Sequence, residues 1–210
     1  MRKTALALGR AFLNLVYPIT CYICGEKLAE NKGLCDRCLS KIETNAFGIA
    51  ACRYEGVIKE ALRLFKYKNA FSLINTFSRL FAEFIDRNID MRKIDLIIPV
   101  PLHPVKLRER GFNQARLLAQ PIARRYNVPI SISNLIKVKY TKPQSGLNRN
   151  QRLRNLRNAF SVKKAGPLKG KKILLIDDVY TTGTTVNKAS YALKRAGALE
   201  VKTLTLARGI

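Results

Sequence analysis

Two adjacent acids, Asp177 and Asp178, stand between an apolar run and a loop of small hydroxyl residues in this 210-residue chain. Ile173, Leu174, Leu175 and Ile176 precede them without polar interruption, as in a central strand covered on both faces. The acids are therefore expected where that strand emerges at its carboxyl end, the edge at which open α/β sheets bind ligands. Thr181, Thr182, Gly183, Thr184 and Thr185 follow, and Val186, Ala189, Ala192, Leu193 and Ala196 then recur at helical spacing. A helix starting near Thr184 would present its positive end, free backbone N–H groups and hydroxyls to a phosphate, with Gly183 allowing close approach. Acids beside such a cradle suit a ligand with hydroxyls or a cation on its other side, and a sugar phosphate with Mg²⁺ has both. The plain alternative is an Asp cap followed by threonine turn residues. The loop lacks the Gly-Lys-Ser/Thr ending of a Walker-type P-loop, and the acids precede it.

Several elements must hold this stretch in place. Residues 94–101, IDLIIPVP, read as a second buried strand closed by prolines, ending beside the Asp177 strand. Residues 104–127 open with Lys106, Arg108 and Arg110 and run on as a helix with Ala115, Leu118, Ala119 and Ile122 inward. Gly197 is placed to cap the helix after the threonine loop, and residues 201–207 alternate as a final strand. Upstream, residues 49–57 are β-prone. Ile58, Leu62 and Phe65, then Leu73, Phe77, Leu80, Phe81 and Phe84, mark two helices, their aromatics on core spacing. Arg63, Lys66, Tyr67 and Lys68 form a weaker candidate border for a phosphate-backbone groove. His103 is the only histidine and has no Ser/His/Asp context, so a positioning role ranks above catalysis.

Cys21, Cys24, Cys35 and Cys38 form two CxxC pairs, a spacing that can converge on one structural Zn²⁺. Two disulfides are the competing reading. Cys52 stands apart as a small packed residue. The net charge of +25 favours polyanionic partners, with plain solubility as the alternative. Residues 137–172 hold twelve Lys/Arg and no Asp/Glu, and residues 140–158 read as a flexible basic lid with Lys142, Gln144, Arg149 and Arg152. Such a lid could neutralise a departing pyrophosphate. A solvated basic loop is the plain reading. Near the start, Leu8, Phe12, Leu15 and Val16 mark one face of an amphipathic helix, and no stretch is long enough to span a bilayer.

The strand, paired acids and Thr/Gly loop resemble the 5-phosphoribosyl-1-pyrophosphate (PRPP) motif of type I phosphoribosyltransferases. With the cysteine knuckle, IPVPLHPVKLRERGFNQA, TKPQSGLNRNQRLRN and NAF in that order, nearly the whole chain resembles the ComF (ComFC) competence family. The resemblance implies an α/β fold with a type I phosphoribosyltransferase-like, mostly parallel sheet flanked by helices and a small N-terminal four-cysteine zinc finger. Residues 1–48 would carry the amphipathic helix and zinc finger. Residues 49–210 would form the phosphoribosyltransferase-like domain, with 49–93 as a hood and 94–210 as the PRPP-binding core. It implies zinc at Cys21, Cys24, Cys35 and Cys38. PRPP with Mg²⁺ would sit at Asp177, Asp178, Thr181, Thr182, Gly183, Thr184 and Thr185, with pyrophosphate at Val100, Pro101, Leu102 and His103. Asp177, Asp178, Arg149 and Lys142 are the catalytic candidates. Single-stranded DNA and other DNA-uptake proteins at the inner membrane are the implied partners of a cytoplasmic protein, one that could also sit on the inner face of the membrane. Two functions stay open: a PRPP-binding DNA-handling protein, or an active transferase moving phosphoribosyl to an amine or base.

Overall fold

The structure is a computed structural model that describes residues 19–30, 32–44, 48–139 and 159–209. The proposed N-terminal helix and the lid with Lys142, Gln144, Arg149 and Arg152 lie outside the described residues. After the cysteine knuckle, which carries α1 (Asp36–Leu39), the order is β1 (Ala50–Arg53), α2 (Gly56–Tyr67), α3 (Leu73–Asn88) and β2 (Leu96–Pro99). Then come α4 (Pro104–Arg110), α5 (Gln114–Tyr126), β3 (Leu135–Lys137), β4 (Phe160–Val162), β5 (Lys172–Tyr180), α6 (Thr184–Arg195) and β6 (Glu200–Arg208).

Four strands form one parallel sheet in the order β1-β6-β5-β2, while β3 and β4 pair antiparallel as a separate hairpin. The apolar run in β5 is explained by its coverage. Ile173 and Leu175 face a layer containing Ile98, Leu135, Phe160, Val186 and Leu193. Leu174 and Ile176 face the opposite layer of Ile58, Phe65, Phe77, Leu118 and Ile122. Along residues 173–176, covered on both sides, no position is left for a polar residue. On that second face Phe65 meets Phe77 edge-on at 5.5 Å and Phe112 at 5.6 Å, which joins α2, α3 and the start of α5.

Three boundaries differ from expectation. The strand does not end at the acids but continues through Tyr180, because β6 accompanies it in register as far as Arg208. The expected strand at 94–101 is only Leu96–Pro99, following a 3₁₀ turn at Met91–Lys93. The single helix expected at 104–127 is two. It stops at Gly111 (φ 80°), and Asn113 caps a new helix by accepting from Ala115 N at 3.0 Å and Arg116 N at 3.4 Å.

The knuckle is seated on α3. A Cβ on Gly33 would lie 2.9 Å from Leu73 Cδ2, so only glycine permits that approach. Gly33 O accepts from Tyr22 N at 3.0 Å, and the Thr76 hydroxyl donates to Lys32 O.

Candidate functional site

Because β2 stops at Pro99 while β5 runs on, the segment holding both acids projects past its neighbour. Val100 N still donates to Ile176 O at 2.8 Å, so the 100–103 loop leaves β2 directly alongside the acids. Asn113 Nδ2 fixes that loop by donating to Val100 O at 3.0 Å. His103 caps α4, its Nδ1 accepting from Val105 N at 3.3 Å, in keeping with a positioning role. Pro101 and Leu102 are half-buried between them.

Both carboxyl groups are buried, Asp177 at 7% and Asp178 at 5% exposure. Their partners differ. Asp178 is ion-paired with Lys66, which reaches it from α2. Asp177 accepts from the Asp178 backbone N–H, at 2.9 Å. Burial first, and then the Asp178 charge, holds the Asp177 carboxyl well above the usual carboxylate range, against the opposing pull of that N–H and of Lys66. Lys137, at the end of β3, feels the charge of this acid. Burial pushes its ammonium below the usual lysine range, while Asp177 pulls it back up. Lys188 of α6 is likewise lowered by burial and by Lys137.

Downstream, Tyr180 and Thr181 lead into the turn. Gly183 is the N-cap of α6 at φ 72°, a left-handed conformation, and a Cβ there would collide with the Tyr180 ring and hydroxyl. Thr182 and Thr184 hydroxyls lie 2.9 Å apart, and Thr181, Thr182 and Thr184 are exposed. Gly183 has no side chain with which to cap α6, and of the first N–H groups of this 12-residue helix Thr184 N donates to Thr182 Oγ1 at 3.5 Å. Acids, threonine loop and the 100–103 loop thus meet at the carboxyl edge of β2 and β5.

Two further residues join this site. Lys66, read from the sequence as a weaker candidate border for a phosphate-backbone groove, falls in step with Ile58 and Leu62 at intervals of four, at the end of the buried stripe of α2. Lys137 was not singled out, being one cation in a basic stretch.

The four knuckle cysteines bring their sulfurs within 4.8 Å of one another, and Cys24 and Cys35 Sγ are 3.6 Å apart. Tetrahedral zinc with bonds of about 2.3 Å needs sulfurs about 3.8 Å apart, so the donor set fits. None of the five cysteines is in a disulfide. The Glu26 backbone N–H first, and then the Arg37 guanidinium, draws the Cys24 thiol down to about 6, while burial holds Cys38 up at about 12. With four thiols in the set, no ligand position is left for water or substrate, which makes the site structural. Among the described residues, no helix is long and apolar enough to cross a membrane.

Comparison with known proteins agrees with both halves. The phosphoribosyl transferase domain family matches residues 110–210, and the double zinc ribbon domain family matches residues 12–60. Competence protein F of Haemophilus influenzae is 33% identical over 195 residues, covering 90% of this chain and 84% of the relative. DNA utilization protein YhgH of Escherichia coli K12 is 29% identical over 90% of this chain and 83% of its own length. Competence protein ComFC of Streptococcus pneumoniae is 33% identical over 74% of this chain and 65% of its own. Among solved structures, the glutamine PRPP amidotransferase of B. subtilis aligns at 21% identity, covering 65% of this chain and 26% of that one, with a TM-score of 0.45. The domain is of the type I phosphoribosyltransferase class, with a zinc-ribbon knuckle ahead of it.

Proposed function

The chain belongs to the ComF competence family, and from that premise we propose that it binds PRPP with Mg²⁺ and takes part in handling incoming single-stranded DNA during natural transformation. One observation carries the ligand reading: the buried acid pair on β5 runs into a threonine loop that turns at left-handed Gly183 into the N-terminus of α6. In this reading Asp177 and Asp178 accept from the ribose hydroxyls, and Thr181 to Thr185 take the 5-phosphate with hydroxyls and α6 N–H groups. Val100, Pro101, Leu102 and His103 border the pyrophosphate. Magnesium bound with the diphosphate would offset its charge. Residues 1–48 serve as the zinc-stapled appendage and 49–210 as the ligand-binding domain. The basic charge of +25 and the relatives' names support DNA as the polyanionic partner of a cytoplasmic protein.

A second reading is active transfer of phosphoribosyl to an amine or base. It is favoured by Lys137, whose ammonium feels the charge of Asp177 and would help hold a leaving anion at this site. Lys142 and Arg149 would then meet the leaving pyrophosphate as C1 exchanges it for the acceptor.

Calorimetry with PRPP and MgCl₂ should give a saturable signal that vanishes in Asp177→Ala/Asp178→Ala. Its absence in the parent protein removes the ligand reading. Pyrophosphate release with bases, ammonia or glutamine would establish transfer, and silence with retained binding removes it. Affinity for single strands should fall steeply with salt. Removing Arg149, Arg152, Arg154 and Arg157 should lower that slope by up to about 3, and an unchanged slope puts the DNA elsewhere.

A further inference from the structure

We propose that single-stranded DNA lays its bases in the groove between the β3–β4 hairpin and α6, stacking on Tyr191. This inference rests on the DNA-handling reading and gives it a place. The groove encloses about 490 Å³, within the roughly 300–1,000 Å³ typical of ligand clefts, and is lined by Val138, Phe160, Val162, Tyr191, Arg195 and Ala196. Its lining sets Val138, Phe160, Val162 and the Tyr191 ring beside the Arg195 side chain. Tyr191 is 52% exposed although it sits on a helix whose Val186, Ala189 and Leu193 are buried, and Val138 at its rim is 46% exposed.

Charge selects the occupant. β3, β4 and α6 contain no Asp or Glu, yet they contribute Lys137, Lys188, Lys194 and Arg195. The chain segments next to the hairpin add Lys139, Lys163 and Lys164. An apolar peptide would gain nothing from that cationic frame, and a duplex would present phosphates, not base faces, to the Tyr191 ring. Unpaired bases on a phosphate backbone satisfy both. The cations already address aromatic rings here: Arg195 lies over Tyr191 at 5.9 Å, and Lys137 over Phe160 at 5.5 Å. A base entering above Tyr191 takes up a stacking geometry the ring and guanidinium already hold. Lys137 stands over the ring of Phe160, one of the lining residues, so its ammonium borders the groove.

The chain contains no tryptophan, so Tyr191→Trp in the full zinc-loaded protein installs a single fluorophore in the groove. Titration with fluorescein-labelled oligo-dT reads binding by anisotropy and stacking by quenching of that tryptophan. The proposal expects both signals to saturate together, the quenching to disappear at high salt, and Tyr191→Ala to weaken binding about tenfold. A rise in anisotropy without quenching, or with quenching only in Tyr22→Trp at the knuckle, overturns the groove while leaving the DNA-handling reading standing. No anisotropy change with the parent protein overturns that reading, and this inference with it.

Discussion

Asp177 and Asp178 are sequence neighbours in different circumstances: Asp178 is ion-paired with a lysine ammonium, whereas Asp177 accepts from a backbone N–H. For Asp177, a pKa raised in the folded state means that the fold loses stability as pH climbs above the unfolded value of about 3.9. Asp177→Asn removes that loss. Its melting temperature should match the parent's near pH 3 and exceed it by about 2–4 °C at neutral pH, equivalent to about 1 kcal/mol for a chain of this size. A gap that shrinks as pH rises would show that burial is not what raises this acid. For Asp178 the prediction runs the other way. Lys66→Met strands a buried carboxylate and should lower stability by about 3 kcal/mol in urea denaturation. Adding Asp178→Asn should recover most of that loss, and two additive losses would mean that the pair is not coupled. A charge can therefore be read as a site residue from its spacing, as Lys66 at the end of Ile58 and Leu62 shows, while its counter-charge on another element is invisible in one dimension.

At the level of elements, Gly183 sets the entry to α6. Gly183→Ala meets both the left-handed backbone and the Tyr180 ring. It should weaken PRPP binding about tenfold or more, with the circular dichroism spectrum unchanged, and an unaltered affinity would show that this loop does not hold the ligand. The β5 strand, the start of α6, its end at Gly197 and the β6 strand were all legible, because each carries a strong local pattern: unbroken apolarity, helical spacing or alternation. What failed were stopping points fixed by partners. The extension of β5 through Tyr180 depends on β6 lying alongside it, which no local pattern encodes. The break at Gly111 was written in the sequence as Gly-Phe-Asn, a left-handed stop followed by a cap, but the apolar spacing on either side concealed it. The β3–β4 hairpin has three-residue strands separated by more than twenty positions, too short and too far apart for periodicity to find.

Across the whole molecule, the knuckle and the domain share one core. Cys21, Leu34, Cys35 and Cys38 pack in the same apolar cluster as Leu73 and Phe77. Zinc removal by a chelator should therefore lower the melting temperature of the entire chain, and not merely free an appendage. In the chelated but folded protein, Cys21, Cys24, Cys35 and Cys38 should become reactive to a thiol reagent before Cys52. That residue is fully buried and its thiol is pushed up to about 12 by burial. Equal reactivity of all five would mean that knuckle and core open together. The sheet sets a different kind of limit. Among the described residues β1, made early, has β6 as its only strand partner, with Thr205 N donating to Ile49 O at 2.8 Å across more than 150 positions. During synthesis that edge must wait, unpaired, until β6 leaves the ribosome. So high a contact order makes this chain a slow closer, with a bare apolar ribbon that a holding chaperone would shield while it waits.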